Sequence, residues 1–499
     1  MSNSSQASQR IAALLDDNSF VEIGAKVTAR ATDFNMKPTE TPSDGVVTGY
    51  GVIDGSLVYV YSQDASVMNG TVGEMHAKKI ANLYDLALKT GAPVIGLIDS
   101  AGLRLQEATD ALNAFGEIYM KQTLASGVIP QITAVFGNCG GGLALIPALT
   151  DFTFMEGKKA KLFVNSPNAL AGNNADKCDT AAADFQSEKA GLVDVVADEA
   201  DILAQIRQLV SMLPANNEDE AFEEECADDL NRASAELANC TGDTSIALST
   251  IADDNVFFEV KEAYAKEMVT GFVRLNGQTV GCVANRSEVY GEDGEKTETF
   301  DSVLTPAGCE KATEFITFCD AFNIPVLSLT NVTGYAACEC CEKKIAKAVA
   351  KLTYAFANAT VPKVNVVIDK AFGTAAVAMN SKAIGADLTI AWENAEIGAM
   401  NAKDAAMIMY DGQGADVINE KAAEYAALQT SAEGAAKRGY VDQIISAADT
   451  RQSSPLSAAR RGYVDTIVQP ADTRKYVIGA FEMLFSKRED RPAKKHGTV

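Results

Sequence analysis

The feature that most constrains this chain is that it repeats itself. "LLDDNSFVEIG" (14–24) returns as "IADDNVFFEVK" (251–261). Asp16, Asp17, Asn18, Phe20 and Glu22 are matched by Asp253, Asp254, Asn255, Phe257 and Glu259 at a spacing of 237 residues. "VVTGYGVIDGSLVYV" from Val46 returns as "MVTGFVRLNGQTVGC" from Met268, "GAPVIGLIDSAG" (91–102) as "NIPVLSLTNVTG" (323–334), and "VIPQITAVFGNCGGG" from Val128 as "TVPKVNVVIDKAFGT" from Thr360. Pro93 and Pro325, Gly102 and Gly334, Pro130 and Pro362, and Gly141 and Gly373 all lie 232 apart. Strand–turn–helix units look alike in any α/β protein. Four matches in one order at a near-constant spacing instead predict two copies of one domain, 1–230 and 231–499. At 499 residues the chain is too long for a single ordinary core. The acidic run "NNEDEAFEEECADD" (216–229) reads as a solvated linker or helix face between the copies.

"APVIGLID" (92–99) is an uninterrupted apolar run of strand length, as in a strand covered on both faces. The segment after it places Leu105, Ala108, Leu112, Phe115, Ile118 and Tyr119 at helical spacing. "QITAVFG" reads as the next strand and "GGLALIPAL" as a short helix. The second half runs in the same way through "IPVLSLTN", a helix over "KKIAKAVAKLTYAFANA", "KVNVVID" and a helix from about Thr374. The alternation predicts α/β units with parallel strands. Each half turns from strand to helix through glycine, at Gly140, Gly141 and Gly142 and again at Gly373. Glycine lets a ligand approach the backbone closely, and the first turn of a helix offers unpaired N–H groups. Such donors hold a phosphate or a developing oxyanion. Neither turn matches G-x-x-x-x-G-K-[ST] or G-x-G-x-x-G, which excludes the nucleotide-phosphate motifs. One such turn reads as close packing; its presence in both copies reads as an oxyanion site.

The net charge of −24 argues against nucleic acid or an anionic lipid surface as a partner, while leaving room for a local cationic pocket. No apolar run of about 18 residues predicts a membrane span, and "MSNSSQASQRIAALLDD" lacks the apolar core of a secretory signal. The ten cysteines read as reduced thiols of a cytoplasmic protein. With only His76 and His496, neither a histidine triad nor a histidine-rich metal site is expected. Cys338, Cys340 and Cys341 do not have zinc-finger spacing, and no metal is expected there. Cys139 reads as a small packing residue and Trp392 as core.

"DGVVTGYGVIDGSLVYVYSQD", "HAKKI", "GAPVIGLIDSAGLRLQE", "ASGVIP", "PALTDFTFM", "FCDAFNIPV", "LTYAFANATVPK", "SKAIGAD", "AEIGAM" and "KREDRPAKKHG" carry a resemblance over nearly the whole chain. It resembles the carboxyltransferase subunits of biotin-dependent acyl-CoA carboxylases, transcarboxylases and acyl-CoA decarboxylases. The resemblance implies an α/β fold of tandem crotonase-like domains, each a ββα superhelix. It also implies transfer of a carboxyl group between carboxybiotin and the α-carbon of a short-chain acyl-CoA, propionyl- or methylmalonyl-CoA. Charge then develops on the thioester oxygen and on the biotin ureido oxygen, so each copy needs an oxyanion hole. The acyl-CoA hole would use Gly141 and Gly142, facing Gly102 and Leu103. The biotin hole would use Gly373 and Thr374, facing Gly334, with Tyr335 and Ala375 beside the biotin. Lys78, Lys79 and Arg104 become the candidates for the CoA phosphates, with Lys158, Lys159 and Lys161 behind them. His76 is expected at a helix start near the CoA side.

No A-M-K-M biotin-attachment segment appears, so the biotin belongs to a separate carrier protein. A biotin carboxylase or membrane decarboxylase subunit is expected as a further partner, with a homo-hexamer, no nucleic acid, and a cytoplasmic location tied to the membrane at most through partners. "NVTGYAACECCE" (331–342) keeps Gly334 and Tyr335 but lacks the prolines and second glycine of the family turn. Thr374 replaces the second glycine of its pair, and 165–191 lacks the usual glycine pair and histidine. Two other readings stand beside transfer. A CoA hydratase, isomerase or hydrolase would need a carboxylate at the thioester, with Glu107 the candidate. The altered 331–342 turn motivates the other, a non-catalytic assembly subunit whose second hole has decayed. Finally, 429–451 and 452–474 are a tandem pair of 23-residue units. Two units are too few for a solenoid, so one copy is expected to be packed and the other attached at its edge.

Overall fold

The computed structural model describes residues 5–30, 40–219, 226–230, 232–291, 293–444 and 470–489. The chain forms two compact units, Met1–Phe222 and Glu223–Val499. In the first, an antiparallel hairpin (Val46–Ile53, Ser56–Gln63) continues into parallel strands Val94–Ser100, Gln131–Gly140, Phe152–Glu156 and Val195–Ala197. In the second, the hairpin Met268–Leu275 and Gln278–Asn285 continues into Val326–Val332, Lys363–Phe372, Leu388–Ala391 and Gln443–Ile444. Helices Glu74–Thr90 and Ala108–Ala125 return in the second unit as Pro306–Ala321 and Ile345–Asn358. These are the two copies of one α/β unit that the duplication implied, in the tandem arrangement the resemblance implied.

The hairpins are what the parallel-strand expectation left out. Both turn on a two-residue loop, Asp54-Gly55 and Asn276-Gly277, with φ of 47° and 82° in one and 56° and 79° in the other. That is the primed turn whose twist matches the flanking strands. The central strands are apolar throughout because both of their faces are covered; Val94, Ile95, Leu97 and Ile98 are all buried. Helix Ala108–Ala125 differs from its predicted face. It buries Ala111, Ala114, Phe115, Ile118, Gln122 and Ala125, whereas Leu105 and Leu112 are 76% and 59% exposed. Met120 and Leu124 share that exposure, leaving an apolar stripe at helical spacing on the surface. Trp392 is core, as expected, with its N–H on Thr473 Oγ1 at 3.2 Å.

A matched clasp closes each unit. Asp16 accepts the backbone N–H groups of Asp54 and Gly55, and Asp253 those of Asn276 and Gly277. Arg207 reaches Leu14 O (2.8 Å) and Asp16 Oδ1 (2.7 Å); Arg474 reaches Ile251 O (2.7 Å) and Asp253 Oδ1 (2.6 Å). The clasps differ in burial, with side-chain exposures of 26% for Arg207 and 2% for Arg474. An uncompensated buried carboxylate costs far more than a solvated one. Arg474→Ala is therefore expected to cost about 3 kcal/mol of unfolding free energy, against about 1 kcal/mol for Arg207→Ala. Urea denaturation of the two variants checks this, and equal losses would contradict it.

The tandem 23-residue pair is divided. The described part of the first copy supplies strand Gln443–Ile444 and Asp442, which accepts Thr389 N–H at 3.0 Å. The described end of the second copy supplies Arg474. The expectation of one packed and one attached copy bears on 445–469, outside the described residues.

Candidate active site

Strand Gln131–Gly140 changes partner along its length. Its first half pairs with Phe152–Glu156, and its end pairs with Lys161–Phe163. At that end a Cβ on Gly140 would lie 2.7 Å from the Phe163 ring, so only glycine passes. The chain then turns at Gly141 (φ 63°) into a short 3-10 turn, Gly141–Ala144, and helix Leu145–Ala148. The N–H groups that begin such a turn have no acceptor within it. Nothing lies within 4 Å of the position a Gly141 Cβ would take, and Gly142 is exposed. The mouth of the turn is open, and Tyr119 Oη donates to Gly142 O from below.

The facing turn is held by its own bonds. Gly102 (φ 98°) donates to Ser100 Oγ at 3.1 Å, and its carbonyl accepts Val72 N–H at 2.8 Å. Its N–H is therefore taken up within its own turn, and Gly102 lies against Gly140 O. The bridge to Val72 uses Gly102 O and Arg104 N, so the Leu103 N–H points to the opposite side.

The second unit repeats the construction. Strand Lys363–Phe372 ends paired with Glu396–Gly398, turns at Gly373 (φ 62°) and enters helix Gly373–Ala378. Thr374 is exposed, and its Oγ1 lies 2.7 Å from Tyr335 Oη. The facing pair Gly334–Tyr335 is fixed beside Val303–Leu304, and space around Gly334 is open to 4 Å. Ala375 is fully buried, which corrects its predicted place beside a ligand.

The predicted phosphate-binding cations are mostly spoken for. The side chains of Arg104 and its two carboxylate partners are fully buried, with Nη1 on Asp44 Oδ1 (2.6 Å) and Glu107 Oε1 (2.9 Å), and Nη2 reaches Thr71 O (2.7 Å). Lys79 is buried on Ser43 O (3.0 Å), Ser43 Oγ and Val46 O, and burial lowers its pKa to about 8. Lys311, 232 residues on, does the same for Lys261 O and Tyr264 O. Lys79 and Arg104 are thus corrected from ligand cations to struts of the fold. Lys78 is exposed beside Glu74, Lys158 pairs with Asp198 and Lys161 with Asp179.

His76 sits in the first turn of helix Glu74–Thr90, as expected, but is buried between Asp44 O and Gln63. Burial, with Arg104 and Lys79 nearby, takes its pKa to about 3, so it stays neutral and is no acid or base near pH 7. Glu107 has both oxygens engaged, one by Arg104 and the other by Glu74 N–H at 2.6 Å. Cys139 is buried and its thiol is pushed up by desolvation, which suits packing and not attack. Sequence reasoning missed Ser100 and the Tyr119 hydroxyl, which hold the two facing turns, and Asp44, which holds Arg104. Tyr119 carried a signal in its polar tip on an otherwise apolar face.

The chain matches the family described as "Carboxyl transferase domain" over residues 2–499. It is 38% identical to the methylmalonyl-CoA decarboxylase subunit alpha of Propionigenium modestum, over 99% of this chain and 92% of that one. It is equally 38% identical to the propionyl-CoA carboxylase beta chain of Roseobacter denitrificans, over 99% and 93%. Its fold superposes on that of transcarboxylase 12S, solved as a hexamer assembly with hydrolyzed methylmalonyl-coenzyme A bound, with a TM-score of 0.86, 35% identity, and coverage of 99% and 92%. With two glycine-ended turns of one design on a duplicated α/β scaffold, this chain belongs to the carboxyl transferase domain family.

Proposed function

We propose that this carboxyltransferase moves a carboxyl group between biotin on a separate carrier protein and the α-carbon of propionyl- or methylmalonyl-CoA. The observation that carries the reading is the twin turn, Gly141 at φ 63° and Gly373 at φ 62°, each directly following a strand and opening a helical turn. In this reading the Gly141 and Gly142 amides face the thioester oxygen and hold the negative charge that develops there. The Gly373 and Thr374 amides hold the ureido oxygen. The open space beside Gly334 and the Tyr335–Thr374 hydroxyl pair leave polar groups at the mouth of this turn for a polar ligand. Biotin, when bound, supplies the carboxyl group and a nitrogen that takes the α-proton. No side-chain base is then required, which fits the neutral, enclosed His76 and the fully engaged Glu107. The same Glu107 pairing weighs against a hydratase or isomerase.

The partners in this reading are a biotin carrier and a biotin carboxylase or membrane decarboxylase subunit, with copies of this chain completing one another's sites in a hexamer. The exposed stripe of Leu112, Met120 and Leu124 favours such self-assembly. Among the described residues no helix is long and apolar enough to cross a membrane. Incubation with free biotin and carboxyl-labelled methylmalonyl-CoA tests the proposal. Biotin-dependent release of label is expected, and Gly373→Val is expected to reduce it about a hundredfold. Water addition to an enoyl-CoA without label transfer would refute it.

A further inference from the structure

The second unit carries a cluster of sulfur atoms that carboxyl transfer does not use. Cys338, Cys340 and Cys341 follow Tyr335 closely, and their Sγ atoms all lie within 4.8 Å of one another. Cys338 and Cys340 are exposed, and their Sγ atoms are 2.7 Å apart. Cys341 N–H donates to Cys338 Sγ at 3.0 Å. We infer that Cys338 and Cys340 form a reversible intramolecular disulfide by exchange with a low-molecular-weight disulfide, and that this bridge stiffens the start of the short helix Glu339–Glu342 that follows Tyr335.

Several observations favour a bridge over a metal. Two thiolates on one tetrahedral zinc stand roughly 3.8 Å apart, as follows from Zn–S bonds of about 2.3 Å. The 2.7 Å pair is already closer to bonding distance, about 2.05 Å in a disulfide. No fourth His, Cys, Asp or Glu ligand joins the three sulfurs among the described residues. The hydrogen bonds from Cys340 and Cys341 hold the Cys338 thiol below its usual pKa, while Cys341, beside it, is pushed up to about 12. Cys338 is thus the attacking thiolate. It displaces one thiolate from the small disulfide and forms a mixed disulfide. Cys340 loses its proton to solvent and attacks Cys338 Sγ, releasing the second thiolate. Two protein thiols are oxidised and one small disulfide is reduced to two thiols.

The test treats the full-length protein with oxidised glutathione, blocks remaining thiols with an alkylating reagent, and weighs the peptide spanning 338–341. The expected result is a peptide carrying one alkyl group, on Cys341, whose mass less that group is about 2 Da below that of the fully reduced peptide. Cys338→Ser and Cys340→Ser are expected to abolish the bridge, and Cys341→Ser to retain it. Three alkylated cysteines, a glutathione adduct that never resolves, or a bridge persisting in Cys340→Ser would overturn the inference. So would one tightly held metal ion per chain that blocks alkylation in the untreated protein. The effect on rate rests on the function proposed above: oxidation is expected to slow biotin-dependent transfer several-fold, with recovery under a dithiol reductant and no response in Cys338→Ser. An inactive reduced protein would defeat that function, while the peptide mass would still decide the bridge.

Discussion

Gly141→Val is expected to lower carboxyl transfer about a thousandfold while changing acyl-CoA binding less than about threefold. The variant adds no clash, since the space around the glycine is open. What it alters is the backbone: φ of 63° lies where a β-branched residue is strained, so the turn relaxes towards negative φ and its N–H groups swing away. A thousandfold loss corresponds to about 4 kcal/mol, the upper range for removal of an oxyanion donor. Because charge grows on the thioester oxygen only as the α-carbon reacts, the loss falls on kcat and not on the dissociation constant. Single-turnover transfer with labelled methylmalonyl-CoA, alongside equilibrium binding of the same thioester, separates the two. Unchanged transfer, or a loss confined to binding, would remove these amides from the chemistry. Tyr119→Phe, which frees the Gly142 carbonyl without bending the chain, is the graded companion.

Arg104→Met is expected to destabilise the first unit by about 3–5 kcal/mol at pH 7, read as a lowered urea midpoint. The guanidinium compensates two buried carboxylates, Asp44 and Glu107, and also bonds Thr71 O. Methionine fills a similar volume and leaves both carboxylates without their cation. Burial already raises the Asp44 pKa in the intact protein, against the pull of Arg104. Without Arg104 the folded-state value of Asp44 rises further above its unfolded value. Groups shifted upward stabilise the folded state at low pH and lose that contribution as pH rises through the folded pKa. The deficit of Arg104→Met is therefore expected to shrink as pH falls towards about 5. A deficit independent of pH would point to lost packing instead. Arg104→Lys keeps the charge but not the two-pronged geometry, and is expected to recover only part of the loss.

What could be read from the chain and what could not divide along physical lines. Duplication was legible because Gly, Pro and Asp at turns serve backbone needs that few other residues meet: Asp16 and Asp253 cap the same hairpin loop, and Gly141 and Gly373 take the same φ. Strands Val94–Ser100 and Gln131–Gly140 were legible as apolar runs covered on both faces. The fate of charged residues was not. Lys79 and Arg104 look in sequence like any surface cations; only the fold closes Ser43, Asp44 and Val46 around them. Periodicity likewise placed Leu112 in the core because it reports an apolar face and not what covers it. That Ser100 Oγ takes up the Gly102 N–H was not legible either, because this two-residue contact depends on the local turn.

The divided tandem pair has a consequence for inheritance. Strand Gln443–Ile444 comes from one copy and Arg474 from the next. In-frame loss of 23 residues anywhere between them rejoins "VDQI" to "VQPADTR" or its near twin, so the encoded strand and arginine both survive. Loss or gain of one 23-residue unit therefore keeps, in sequence, the residue types that make the contacts described on either side.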